Sequence, residues 1–374
     1  MVKAPATLAE FTKLAPFWET PVTSEVVFSA DGIGDLFAKL AADGKQRPFF
    51  VIDKALAPQP AFQRIFEQKA KFEFDATESE PRTDDVDALR QYLKDRDEQP
   101  DVIVGIGGGA TMDLSKATGI CMANPLRAQD YQGYGLDMTK GLDIWVVPAL
   151  NGTGAEVTPI AVLRGPEKKL GINNPYTQSS VAVVDPQLAA GAPRFNRFFT
   201  MMDCFFHHYE ITKSLTSSRE SLDDAHAGVS LAREVLSQDL SEYELSRGIK
   251  SAMASVLGGT SSVGGRVGAP HAISYGLSNC APHLPHSVAV TISMLALENM
   301  YPDGYADTLR FLEINHMPHP KASDYGIGAK DMAKLVKTAM GMEKIWQSCF
   351  GLDDWQKKAT PEFMEAIYER IVRA

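Results

Sequence analysis

Cysteine is scarce in this 374-residue chain: Cys121, Cys204, Cys280 and Cys349 lie far apart, with no C-x-x-C. That spacing excludes a zinc ribbon and a disulfide scaffold and predicts buried, reduced thiols in a cytoplasmic protein. Long hydrophobic runs are also missing. The longest, near residues 288–297, falls far short of the ~20 residues a membrane span needs. The first 21 residues mix charge and proline without an apolar stretch, so no secretory leader is expected. Positive charge is in deficit, with 37 Lys and Arg against 47 Asp and Glu and a net charge of −10. Neither nucleic acid nor an anionic membrane is expected as a partner. No internal repeat or low-complexity tract is present.

What remains is an ordinary globular composition, 44% hydrophobic and 22% charged, and a length that suggests two domains at ~150 residues each. Short continuous apolar runs mark the first half: Phe49–Ile52 ending at Asp53, Val102–Val104 running into glycines, Ile144–Val147, and Val181–Val184. Such runs fit parallel strands buried on both faces. Helical spacing over 58–71, 84–96 and 110–122 separates them, which predicts a βαβ pattern. After Asp185-Pro186 the spacing turns helical throughout, including 221–237, 242–257, 287–300 and 329–340. A last helix is predicted from Thr360 as N-cap and Pro361 at the first turn. The expected organisation is an α/β domain over residues 1–190 and an all-α domain over 191–374.

Three constellations carry chemistry. The first is Gly105-Ile106-Gly107-Gly108-Gly109-Ala110, between a strand and a helix. Glycines there let a pyrophosphate approach unpaired helix N–H groups, although a plain tight turn fits as well. Asp53, closing an earlier strand, suits either an adenosine ribose or a turn cap. The second is Asn151-Gly152-Thr153-Gly154-Ala155-Glu156, a further glycine turn after a strand that suits cofactor or phosphate. The third is a histidine cluster: six of the eight histidines fall between 207 and 286. Asp203 and His207, four apart, share one helix face, and His271 and His286 follow. One carboxylate and three imidazoles suit Fe(II) or Zn(II), with hydrogen-bonded structural histidines the competing account. His226, His316 and His319 are expected to be surface or structural.

Taken in order, these motifs resemble the iron-containing (group III) alcohol dehydrogenases. Gly107–Lys116 is similar to that family's G-G-G-S-x-x-D-x-x-K, and Asn151–Thr158 to its A-G-T-G-S-E-x-T. Asp203-x-x-x-His207-x-x-Glu210 and the pair His271/His286 fall in the family order. The resemblance implies a Rossmann-like dinucleotide-binding domain, a helical metal domain of dehydroquinate-synthase-like architecture, and a cleft between them. It implies metal ligation by Asp203, His207, His271 and His286, with NAD held by Asp53, Gly107, Gly108, Gly109, Asp113, Asn151, Thr153 and Lys169. It further implies oxidation of an alcohol to an aldehyde with hydride passed to NAD, and a cytoplasmic homodimer.

Three departures stand out. Ala110 and Ala155 replace the motif serines, Tyr275 stands where many members have a histidine, and the loop from His271 to His286 is longer by about one residue. Tyr275 and His283 are therefore the candidate proton-relay residues. The stretch 268–287, with 201–210, resembles the subgroup that oxidises the terminal primary alcohol of the sugar acid 3-deoxy-D-manno-octulosonate (Kdo) in lipopolysaccharide biosynthesis. That likeness implies an aminotransferase consuming the product, with Arg194, Arg197 and Arg266 as candidate carboxylate partners. The alternatives are a dehydrogenase of another alcohol or polyol, a dehydroquinate-synthase-like lyase, and a non-enzymatic nucleotide-binding scaffold.

Overall fold

A computed structural model describes residues 2–76, 80–167 and 169–374. Among the described residues nine strands form two sheets. The strands are β1 Glu25–Phe28, β2 Pro48–Asp53, β3 Lys71–Phe74, β4 Val102–Gly107, β5 Gly133–Tyr134, β6 Asp143–Pro148, β7 Ile160–Arg164, β8 Lys169–Asn173 and β9 Val181–Val184. Six make a parallel sheet in the order β1-β9-β6-β4-β2-β3. The interior strands are buried along their lengths, as continuous apolar runs require when helices cover both faces.

The chain reverses direction across this sheet between β2 and β4. Loops leaving the carboxyl ends of such neighbours part to opposite faces and leave a crevice. Asp53 ends β2, Gly107 ends β4, and Gly107 pairs with Pro148 at the end of β6. The two glycine turns and Asp53 thus share one rim.

From Arg194 onward the described residues form helices and turns without a strand. The Arg194–Thr212 helix is buried from Phe198 to Ile211, His207 alone being partly exposed. A helix apolar on nearly all sides belongs at the centre of a bundle. It packs on Arg219–Leu236, Leu245–Gly264 and His286–Leu295. The last helix, Pro361–Arg373, starts as expected, with the Thr360 hydroxyl accepting from Phe363 N–H at 3.3 Å.

Two expectations need correction. No helix spans 58–71. Pro58 and Pro60 break it, leaving a 3₁₀ turn and Gln63–Phe66, and Lys71-Phe-Glu-Phe74 alternates with period two and forms β3. The antiparallel pair β7/β8 was not anticipated. It joins β5 in a small second sheet and brings Val162 and Lys169 to the rim.

Ser255, fully buried in the Leu245–Gly264 helix, ties the two halves together. Its hydroxyl accepts from Gly152 N–H (2.8 Å) and Gly154 N–H (3.3 Å). Gly154 is left-handed (φ +69°), and a Cβ there would meet Gly259 N at 2.2 Å, so only glycine allows this approach. Ser255→Ala would leave two buried N–H groups unpaired. We predict a stability loss of about 2 kcal/mol, measured by urea unfolding.

Candidate metal and dinucleotide site

The Arg194–Thr212 helix places Asp203, His207 and Glu210 at i, i+4 and i+7, on one face. His271 lies in the first turn of the Ala269–Cys280 helix, and His286 begins His286–Leu295. These elements converge. Ligand atoms of Asp203, His207 and His271 all lie within 4.8 Å of one another. The His271 ring is 4.4 Å from that of His207 and 5.4 Å from that of His286.

Hydrogen bonds fix which atoms face inward. His271 Nδ1 donates to Glu210 Oε1 at 2.8 Å, and Glu210 Oε2 accepts from Gly268 N–H at 2.6 Å. His207 Nδ1 donates to the Asp203 carbonyl at 2.9 Å. Each Nε2 thereby faces away from these partners. Asp203 Oδ1, His271 Nε2 and His286 Nδ1 are buried and take no hydrogen bond from the described residues. Asp203 Oδ1 and His271 Nε2 stand 3.5 Å apart. Two ligand atoms at ~2.1 Å from a tetrahedral ion would be ~3.4 Å apart. The donor set, one carboxylate and three imidazoles, fits Fe(II) or Zn(II).

The electrostatics agree with that fit. Burial alone would raise Asp203, but the imidazoles of His207, His286 and His271 hold it well below the usual carboxylate range. Burial and the Lys169 ammonium push His286 down to about 3, which keeps it neutral. Burial likewise lowers His271, yet the carboxylates of Glu210 and Asp203 outweigh it and push it up to about 10. His271 therefore sits where positive charge is favoured.

A cleft of about 370 Å³ adjoins these side chains. Gly109, Ala110, Asp113, Thr153 and Lys169 line one side, and Asp203, His207, His271, Tyr275 and His286 the other. Gly107 has φ +157°, and a Cβ there would meet the Thr111 side chain at 2.8 Å. At Gly108, which precedes the Gly109–Cys121 helix, a Cβ would meet nothing within 4 Å, so the rim is open above the helix N-terminus. Asp53 Oδ1 caps the following turn through Ala55 N–H (3.0 Å), as one of its two readings expected, and burial raises its pKa.

Other motif residues turn out to build the cleft. Lys116 is fully buried and donates to the carbonyls of Ala155 (2.9 Å) and Ile160 (2.5 Å) and to the Thr158 hydroxyl (3.1 Å), which staples the first motif to the second. Asp113 accepts from Val162 N–H at 3.0 Å, and burial pushes it up to about 6 despite Lys116. Lys169 pairs with Glu80, which also takes Arg164 at 2.9 Å. Glu80 carries no signal in the sequence, and Glu210, although part of the Asp203-x-x-x-His207-x-x-Glu210 motif, has no role assigned there.

Four candidates lie elsewhere. Asn151 lines a small separate cavity behind the turn rather than the cleft. His283 is exposed, its ring 5.9 Å from Tyr325, and is not among the cleft-lining residues. Arg194 is engaged by Asp239 and the Asn315 carbonyl, and Arg197 by the Ala192 and Leu240 carbonyls. Tyr275 does line the cleft, 6.2 Å from the His286 ring, and burial raises its phenol.

Residues 23–186 match the family model for iron-containing alcohol dehydrogenase. Long-chain-alcohol dehydrogenase 1 of Geobacillus thermodenitrificans is 31% identical over 186 residues, 49% of this chain and 47% of that protein. Phosphonoacetaldehyde reductase of Streptomyces viridochromogenes is 32% identical over 172 residues, 41% of each. The chain spans about half the length, or less, of these curated relatives. The crystal structure of sulfoacetaldehyde reductase from Bifidobacterium kashiwanohense in complex with NAD+ shares the fold, with a TM-score of 0.78 at 21% identity over 96% of this chain and 99% of that one. Over these stretches the chain is similar to the iron-containing alcohol dehydrogenases.

Glu210→Gln keeps a side-chain oxygen near His271 but removes the charge that orients its imidazole. We predict metal affinity about 10–100-fold weaker with the fold retained, measured by competition with a chelator alongside circular dichroism.

Proposed function

We propose that the chain is a metal- and NAD-dependent oxidoreductase that interconverts a primary alcohol and its aldehyde. The observation that carries this reading is the cluster of Asp203, His207 and His271, whose ligand atoms lie within 4.8 Å of one another, with His286 lining the same cleft as Gly109 and Thr153. The chain's residues divide the work. Asp203, His207, His271 and His286 hold Fe(II) or Zn(II), and Glu210 fixes the tautomer of His271. The Gly107–Gly109 turn and the helix behind it receive the pyrophosphate, and Asp53 receives the adenosine ribose. Thr153 and Asp113 border the nicotinamide half. Tyr275, kept neutral by burial, holds a proton beside the substrate oxygen. When bound, the ion acidifies the substrate hydroxyl and the nicotinamide accepts hydride.

The reading extends to the C8 alcohol of Kdo, as in a Kdo 8-oxidase, with an aminotransferase using the aldehyde and a cytoplasmic homodimer as the working form. Its support is the likeness of residues 268–287 and 201–210 to that subgroup. A lyase of the dehydroquinate-synthase type would cycle hydride internally, so net aldehyde formation distinguishes the two. The test is aldehyde formation from a panel of primary alcohols, Kdo included, with and without chelator. Metal-dependent aldehyde formation is the expected result, with NADH released or, where NAD stays bound, oxygen consumed, and no aldehyde from any alcohol contradicts the proposal. Asp53→Ala removes the ribose acceptor and the charge that repels a 2′-phosphate. We expect NAD affinity to fall about tenfold or more and the preference over NADP to shrink, measured by titrating both cofactors.

A further inference from the structure

We propose that Arg266 is an anion anchor in the cleft, which selects alcohols and aldehydes carrying a carboxylate, sulfonate or phosphonate. The inference rests on the oxidoreductase reading and names the substrate class of that same site.

The other cations around the cleft are already paired. Lys116 is consumed by two carbonyls, a hydroxyl and Asp113 at 3.6 Å. Lys169 and Arg164 are both paired with Glu80. Arg266 also lines the cleft, partly buried, and has no carboxylate partner among the described residues.

Its placement is rigid. The backbone N–H of Arg266 donates to the Ser217 hydroxyl (3.2 Å), and its carbonyl accepts from Ser348 (3.1 Å). One guanidinium nitrogen, Nη1, donates to the Gly265 carbonyl at 2.9 Å. The Tyr134 ring lies 5.8 Å from the guanidinium carbon, within cation–π range. Nε and Nη2 keep their donors. A planar fork anchored at one corner loses little freedom on binding and matches a planar or tetrahedral anion.

Arg266 precedes His271 by five residues in the loop that delivers this ligand. It therefore comes from the helical half of the chain, whereas the Gly107–Gly109 turn that would hold cofactor phosphates comes from the α/β half. An anionic tail held there leaves the other end of a short substrate for the ligand cluster.

The test compares anionic alcohols (4-hydroxybutyrate, 2-hydroxyethanesulfonate, 2-hydroxyethylphosphonate and Kdo) with neutral 1,4-butanediol. The enzyme is loaded with Zn(II) and NAD, as wild type, R266A and R266K. Two readouts are taken: kcat and KM, and binding by isothermal titration. The proposal predicts that wild type favours at least one anionic alcohol. R266A then lowers the anionic-to-neutral ratio of kcat/KM about tenfold or more, through KM for the alcohol rather than for NAD, and R266K restores part of it. Equal treatment of anionic and neutral alcohols by wild type, or an unchanged ratio in R266A, overturns it while leaving the oxidoreductase reading standing. If no alcohol yields aldehyde, that reading fails and titration still decides the anchor. Anion binding lost in R266A supports it, and binding retained in R266A or missing from wild type overturns it.

Discussion

Everything in this cleft depends on a group of buried polar atoms that the protein itself does not satisfy. Asp203 Oδ1 and His271 Nε2 stand 3.5 Å apart, and these two and His286 Nδ1 are buried with no hydrogen-bond partner among the described residues. An unpaired buried polar atom costs about 1–3 kcal/mol, so three together are a substantial debt unless something else meets them. The hydrogen bonds on the outer sides of the rings show that this orientation is built in. Glu210 grips His271 from behind, and the Asp203 carbonyl grips His207. A divalent cation would satisfy the Asp203 and His271 atoms together, and the carboxylates of Glu210 and Asp203 make positive charge at His271 favourable.

The α/β half is arranged to meet that cluster. The reversal between β2 and β4 opens the crevice, and the glycines at its rim leave the helix N-terminus uncovered. Lys116 then staples the first turn to the segment after the second, and Ser255 ties that second turn to the helical bundle. Lys116, the last residue of the first family-like motif, is a buried structural fastener.

How much of this was legible beforehand follows from range. The continuous apolar runs at 49–52, 102–104, 144–147 and 181–184 identified the central strands, because burial on both faces writes itself locally into the chain. The 58–71 segment reads as helix because its apolar spacing outweighs two prolines, and β7/β8 carry little pattern because Lys169, Gly171 and Asn173 interrupt any apolar run. The four proposed ligands were readable as residue types in order. Their convergence was not, since it depends on three helices meeting. The arginines show the same limit. Arg194, Arg197 and Arg266 look equivalent in sequence, and only tertiary contacts reveal that the first two are spent on carbonyls and Asp239 while the third faces the cleft.

The most direct test of the account is anomalous scattering from crystals grown with Fe(II) or Zn(II). The account predicts one strong peak per chain, at about 2.0–2.2 Å from a carboxylate oxygen of Asp203 and a ring nitrogen of each of His207, His271 and His286. No peak at that point, or a peak held by other side chains, would contradict it.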